Sequence, residues 1–110
     1  MLRTHTAGEL RAADTGKAVT LAGWVDRRRD HGDVTFIDLR DRYGRTQIVA
    51  NAAERPKAHA ALKDARSEWV LQVRGTVRPR PEGTRNAKLA TGDVEVAAAE
   101  IVVLLSLIHI

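Results

Sequence analysis

Residues 23–49 read GWVDRRRDHGDVTFIDLRDRYGRTQIV, and their alternation decides the fold. Val34–Arg40 sets Ile37 and Leu39 on one side and Val34, Phe36, Asp38 and Arg40 on the other, the period of two that a half-buried strand requires. Just upstream, Lys17–Asp26 alternates the same way. Val19, Leu21, Gly23 and Val25 oppose Thr20, Ala22, Trp24 and Asp26. Gly23 inside this run predicts a bend or a close backbone approach, as small coiled barrels need. Arg27–Asp33 is an arginine-dense turn between the two strands. Asp41-Arg42-Tyr43-Gly44 predicts a hairpin turn, with Gly44 able to take positive φ. Thr46–Asn51 is then a third strand.

Outward from this stretch the pattern changes twice. Residues 3–16 predict an N-terminal arm with a short helical turn around Glu9–Ala13, ended by Gly16. Pro56 opens a helix over Lys57–Glu68, in which Ala58, Ala61, Leu62 and Ala65 form one apolar stripe. Trp69–Val77 returns to strand alternation. Arg78–Leu89 is a basic loop with Pro and Gly, and Asp93–Val103 is a fifth strand. Three strands, a helix and two strands is the order of an all-β, five-stranded OB-fold barrel with its helix between strands 3 and 4. A six-element α+β sandwich is the lesser alternative. The barrel domain is expected to span 1–104. The apolar end 105–110, within LSLIHI, matches what one frame of a common transposase sequencing adapter encodes, and an artefactual or disordered tail is expected there.

Composition narrows the function. At 110 residues the chain is one domain by size. The formal net charge is +4, which mildly favours an anionic partner. There is no Cys, so disulfides and thiolate metal sites are excluded. No apolar run reaches about 18 residues, so no membrane-spanning helix is expected, and no secretory signal is expected from the polar start. A cytoplasmic setting is expected. The four His show no ligand spacing, and no phosphate loop, nucleophile motif or paired-carboxylate signature is present. Catalysis by this chain alone is not expected.

Strand parity points to binding. With Val19, Leu21, Val25, Ile37, Leu39, Ile48, Leu71, Val73, Val94 and Val96 as core, the opposite face carries Trp24, Asp26, Arg28, Phe36, Asp38, Arg40 and Gln47. Gln72, Arg74, Arg78, Arg80 and Glu95 join it from the later strands. A flat aromatic stacks on an unpaired base, amides and carboxylates read base edges, and arginines neutralise phosphate. Plainer readings stand beside this one. Trp24 is expected to pack under the arm, the arginine turn reads equally as a solvated turn, and an exposed Gln47 is by itself uninformative. Asp38 and Asp41 are expected to pair with arginines or cap the turn. Glu95, an acid in a basic face, either pairs with Arg78 or Arg80 or accepts from a base donor such as a guanine edge.

The quoted stretch resembles the N-terminal anticodon-binding domain of bacterial aspartyl-tRNA synthetases. LRTHTAGELR, VLQVRGTVRPRPEGTRN and LATGDVEV resemble the same domain in the same order, so the likeness covers roughly residues 2–103. It implies a barrel that grips the anticodon loop of tRNA(Asp), within a homodimeric class II ligase whose catalytic domain uses ATP and Mg2+ and is absent here. The fragment alone is expected to be monomeric. By position, the resemblance makes Phe36 the aromatic that stacks on the central anticodon uridine and Gln47 the amide that reads it. It makes Glu95 the acid that contacts the first base, a guanine or queuine. Arg29, Arg78, Arg80 and Asn86 would frame the loop. His31 and Gly83 stand where family members differ in specificity, and both point to a parent that also charges tRNA(Asn). The competing readings are a free-standing single-stranded nucleic-acid-binding OB protein and a protein-interaction barrel whose basic face is only solvated.

Overall fold

The computed structural model describes residues 3–81, 89 and 91–105. A 3-10 turn at Ala12–Asp14 precedes β1 (Ala18–His31), β2 (Val34–Asp41) and β3 (Gly44–Asn51). Helix α1 (Pro56–Asp64), β4 (Val70–Pro79) and β5 (Val94–Leu105) follow. The strands close into a barrel in the order β1-β2-β3-β5-β4. Only β3 and β5 run parallel; the other neighbours are antiparallel. This is the expected OB arrangement.

The core is the predicted one. All ten residues assigned inward by alternation are buried, and Leu21, Ile37, Leu39, Ile48, Leu71, Val73, Val94 and Val96 have no exposed surface. Each such side chain withdrawn from water contributes roughly 1.5–3 kcal/mol before conformational entropy is subtracted. Helix α1 seals one end of the barrel with Ala58 and Leu62 buried, and Ala65 follows them just past its end. The other end is closed by the N-terminal arm. There Leu10 is fully buried, Ala7 N–H donates to Asp41 Oδ2 at 2.8 Å, and Thr46 Oγ1 donates to the Ala7 carbonyl at 2.5 Å. Asp41 also accepts from the N–H groups of Tyr43 and Gly44, so it caps the β2–β3 turn as expected.

Two glycines let the strands cross closely. A Cβ on Gly23 would lie 2.3 Å from the Arg40 carbonyl oxygen, and one on Gly75 would lie 2.3 Å from that of Ala97. No side chain can occupy either position without moving backbone.

Several boundaries depart from expectation. The N-terminal helical turn lies at Ala12–Asp14 rather than around Glu9–Ala13. Helix α1 stops at Asp64, four residues short of Glu68, because the chain is pulled away to meet β1. Arg28 Nη1 donates to the carbonyls of Lys63 and Ala65, and Glu68 N–H donates to the Val25 carbonyl. Strand β1 continues five residues past Asp26 to His31, so residues 27–31 are strand and only Gly32 and Asp33 of the arginine-dense segment form the turn. Strand β5 runs to Leu105, which pairs with Val70.

Candidate nucleic-acid interface

The outward face is set by a register shift in β1. Val25 pairs with Leu39, but Arg27 pairs with Asp38, leaving Asp26 as the extra residue of a bulge. A bulge turns two successive side chains outward and inverts parity beyond it. Arg27 and Arg29 therefore share the face of Asp38 and Phe36, whereas Arg28 falls opposite Ile37 and binds the end of α1. Simple alternation had assigned Arg28 to the binding face; the bulge overturns that assignment. Trp24, expected beneath the arm, instead pairs with Arg40 and stays 38% exposed.

Beyond the bulge, one rung crosses all five strands. Arg27 pairs with Asp38, Asp38 with Gln47, Gln47 with Glu95, and Glu95 with Arg78. The side chains form a relay along it. Arg29 donates to both Asp38 oxygens, at 3.1 and 3.3 Å, and to Gln47 Oε1 at 2.9 Å. Gln47 Nε2 donates to Glu95 Oε1 at 2.9 Å, and Arg78 Nε donates to Glu95 Oε2 at 2.6 Å. The Gln47 amide is thus oriented from both sides: its oxygen faces a guanidinium and its nitrogen a carboxylate. Glu95 is only 1% exposed, a depth at which a carboxylate needs a charged partner and further hydrogen bonds. Arg78 supplies the charge and Gln47 the second bond.

Phe36 pairs with Arg29 on β1 and Val49 on β3, one step along the strands from this rung. It is half-buried. The His31 ring meets it edge-on, with centroids 5.6 Å apart. Arg80, just past β4, is 7% exposed and donates from Nε to the Val94 carbonyl at 3.1 Å. Burial holds its guanidinium below the ordinary arginine range, against the pull of the nearby Asp38 and Glu95 carboxylates. Arg29, Phe36, Gln47, Arg78, Arg80 and Glu95 are therefore brought to one face. Asn86 and Gly83 lie outside the described residues.

Sequence reading missed Arg27 and Arg45. Arg27 reaches this face only through the bulge. Arg45 precedes the expected start of the third strand, so no alternation included it. Among the described residues no cluster of three or more His, Asp or Glu could hold a metal ion. No helix among them is long and apolar enough to cross a membrane.

Comparison with known proteins bears on the family and the fold. The chain is 55% identical over 104 residues to an aspartate–tRNA(Asp/Asn) ligase of Desulfosudis oleivorans, which covers 94% of the chain but 17% of that protein. It is 58% identical over 104 residues to one of Thermotoga neapolitana, covering 94% and 18%. The chain thus spans less than a fifth of the length of these relatives. Among solved structures, asparaginyl-tRNA synthetase from Pyrococcus horikoshii matches the fold with a TM-score of 0.79 at 24% identity, over 97% of this chain and 23% of that one. An OBody bound to hen egg-white lysozyme matches with a TM-score of 0.81 at 24% identity, over 96% and 95%. The sequence profile of the tRNA anticodon family, described as an OB-fold nucleic acid binding domain, matches residues 19–104. The chain closes into a five-stranded barrel, and it belongs to this family of OB-fold nucleic acid binding domains.

Proposed function

We propose that this chain is the anticodon-loop-binding module of an aspartate–tRNA ligase, holding tRNA for a catalytic domain in the part of its relatives that it does not span. The observation that carries this is the oriented Gln47–Glu95 pair beside the half-exposed Phe36 ring. Phe36 offers one face to an unpaired base, a contact worth about 1–3 kcal/mol. Gln47 presents an amide whose direction is already set by Arg29 and Glu95, so little rotamer entropy is lost when it reads the same base. Glu95 uses two of its roughly four acceptor sites in the relay, and a guanine-type donor would reach the others only where the 1% exposed residue meets the surface. Arg29 and Arg78 neutralise the acids of the relay.

In this reading the partners are tRNA(Asp) and tRNA(Asn). The names of the relatives support both. Aspartate activation with ATP and Mg2+ takes place outside these residues, in a homodimeric, cytoplasmic enzyme. The test is binding of a hairpin with a GUC anticodon against one with a scrambled loop. The chain is expected to prefer the GUC hairpin, and Phe36→Ala to weaken that binding by about 5- to 150-fold, the equivalent of one lost stacking contact. Equal binding of both hairpins sinks the reading.

A further inference from the structure

The outward row beyond Gln47 carries a second feature. Arg40 and Arg45 are cross-strand partners, one rung further from Phe36 than Asp38 and Gln47. Two residues along a strand is about 6.6–6.8 Å, so this rung is continuous with the first. Both guanidiniums face a single carboxylate, Asp26, at 3.8 and 3.5 Å. Two cations against one anion leave a net positive charge.

The β2–β3 turn extends that charge. Arg3 and Arg42 both lie over the Tyr43 ring, 5.2 and 6.0 Å from its centroid, and Tyr43 is 57% exposed. Asp41, at 3.6 Å, offsets Arg3. Arg40, Tyr43 and Arg45 also wall a cleft of about 350 Å3, closed by Gly8, Leu89 and Thr91. Thr91 Oγ1 donates to the Arg45 carbonyl and holds that wall in place. A cleft of this volume is at the scale of a small-ligand site, with cations on one side and an accessible ring at its mouth.

We infer that this cleft is a second RNA subsite. It takes a backbone phosphate of a nucleotide flanking the anticodon on Arg40 and Arg45, and its sugar or base against Tyr43. The inference rests on the anticodon-binding reading and adds to it a route for the strand leaving the Phe36 platform. The bulge at Asp26 serves this route: it places one carboxylate against both arginines, offsetting only one of their two charges.

The test uses the full chain and a GUC anticodon hairpin, with affinity measured between about 50 and 200 mM salt. Arg45→Gln and Arg40→Gln are each expected to weaken binding several-fold at low salt. Arg45→Gln should also flatten the slope of log K against log salt by about 0.7–0.9, one lost phosphate contact. Preference for the GUC loop over a scrambled one should be unchanged in both. The Arg40 side chain is 52% exposed, so its variant keeps the test valid if Arg45→Gln fails to fold. Unchanged affinity and slope, with loop preference intact, overturns the subsite and leaves the cleft to an acidic protein partner. Absence of loop preference in the unsubstituted chain overturns the anticodon reading instead, and with it a subsite for a nucleotide flanking the anticodon.

Discussion

Replacing Glu95 tests whether the relay is a strut as well as a reader. Its carboxylate is 1% exposed and accepts from Arg78 Nε at 2.6 Å and Gln47 Nε2 at 2.9 Å. A hydrogen bond to a charged group contributes about 1.5–3 kcal/mol. The Arg78 side chain is 45% exposed, so water recovers part of its loss, and the lower half of that range applies. In Glu95→Gln the new amide oxygen can still accept from Gln47, but its NH2 group then faces the Arg78 donor. The expected cost is about 1–2 kcal/mol, or roughly 4–10 °C in Tm for a domain of this size. Glu95→Ala also strands the buried Gln47 amide and leaves a void, so about 2–4 kcal/mol is expected. Thermal unfolding followed by circular dichroism gives both numbers, and a hairpin series varied at the first anticodon base gives the reading function. Glu95→Gln should relax the choice at that base more than it lowers affinity for the GUC hairpin. If both variants melt within about 1 °C of the parent, the carboxylate holds nothing and the argument from burial fails.

Three further outcomes follow from the fold. Gly75→Ala forces a Cβ to within 2.3 Å of the Ala97 carbonyl oxygen, and a loss of about 1–3 kcal/mol in chemical denaturation is expected; an unchanged midpoint would show that β4 and β5 are not as close as described. Glu68 sits at φ 70 with its N–H held by the Val25 carbonyl, so Glu68→Gly should stabilise by about 0.5–1 kcal/mol, the left-handed penalty less the glycine entropy, visible as a raised Tm. The bond from Lys17 Nζ, and then the Arg11 N–H, hold the Asp14 carboxyl below its usual 3.8, while Asp14 raises Lys17 above its usual 10.5. The Asp14 contribution is present above the unfolded value and lost as pH falls through the folded one; that of Lys17 is present below 10.5 and lost as pH rises through its raised value. Asp14→Asn should therefore flatten the stability profile at both extremes, and identical profiles would contradict the pairing.

The relay also suggests why the face is ordered before RNA arrives. Every polar side chain in it has a partner, so the buried acid and amide carry no unsatisfied group. A binding face built this way loses little conformational freedom on association. It also keeps Glu95 from repelling phosphate, because Arg78 neutralises it in place.

What the sequence determined by itself was whatever depends on neighbours along the chain. Alternation with a period of two set the inward sides of all five strands, and Leu21, Ile37, Ile48, Val73 and Val96 are buried as their parity required. The stripe Ala58, Ala61, Leu62 and Ala65 set the buried side of the helical stretch in the same way, with Ala61 left partly exposed at its edge. The tertiary structure decided what depends on register between distant segments. One extra residue, Asp26, inverted the second half of β1, turning Arg28 to the helix and Arg27 to the open face. The parallel pairing of β3 with β5 brought Gln47 and Glu95, 48 residues apart, to 2.9 Å. Barrel closure buried Arg80 and folded Arg40, Tyr43 and Arg45 around a cleft with Leu89 and Thr91. Periodicity is local because each side chain's direction follows from its own backbone angles; a rung across five strands exists only once the barrel has closed.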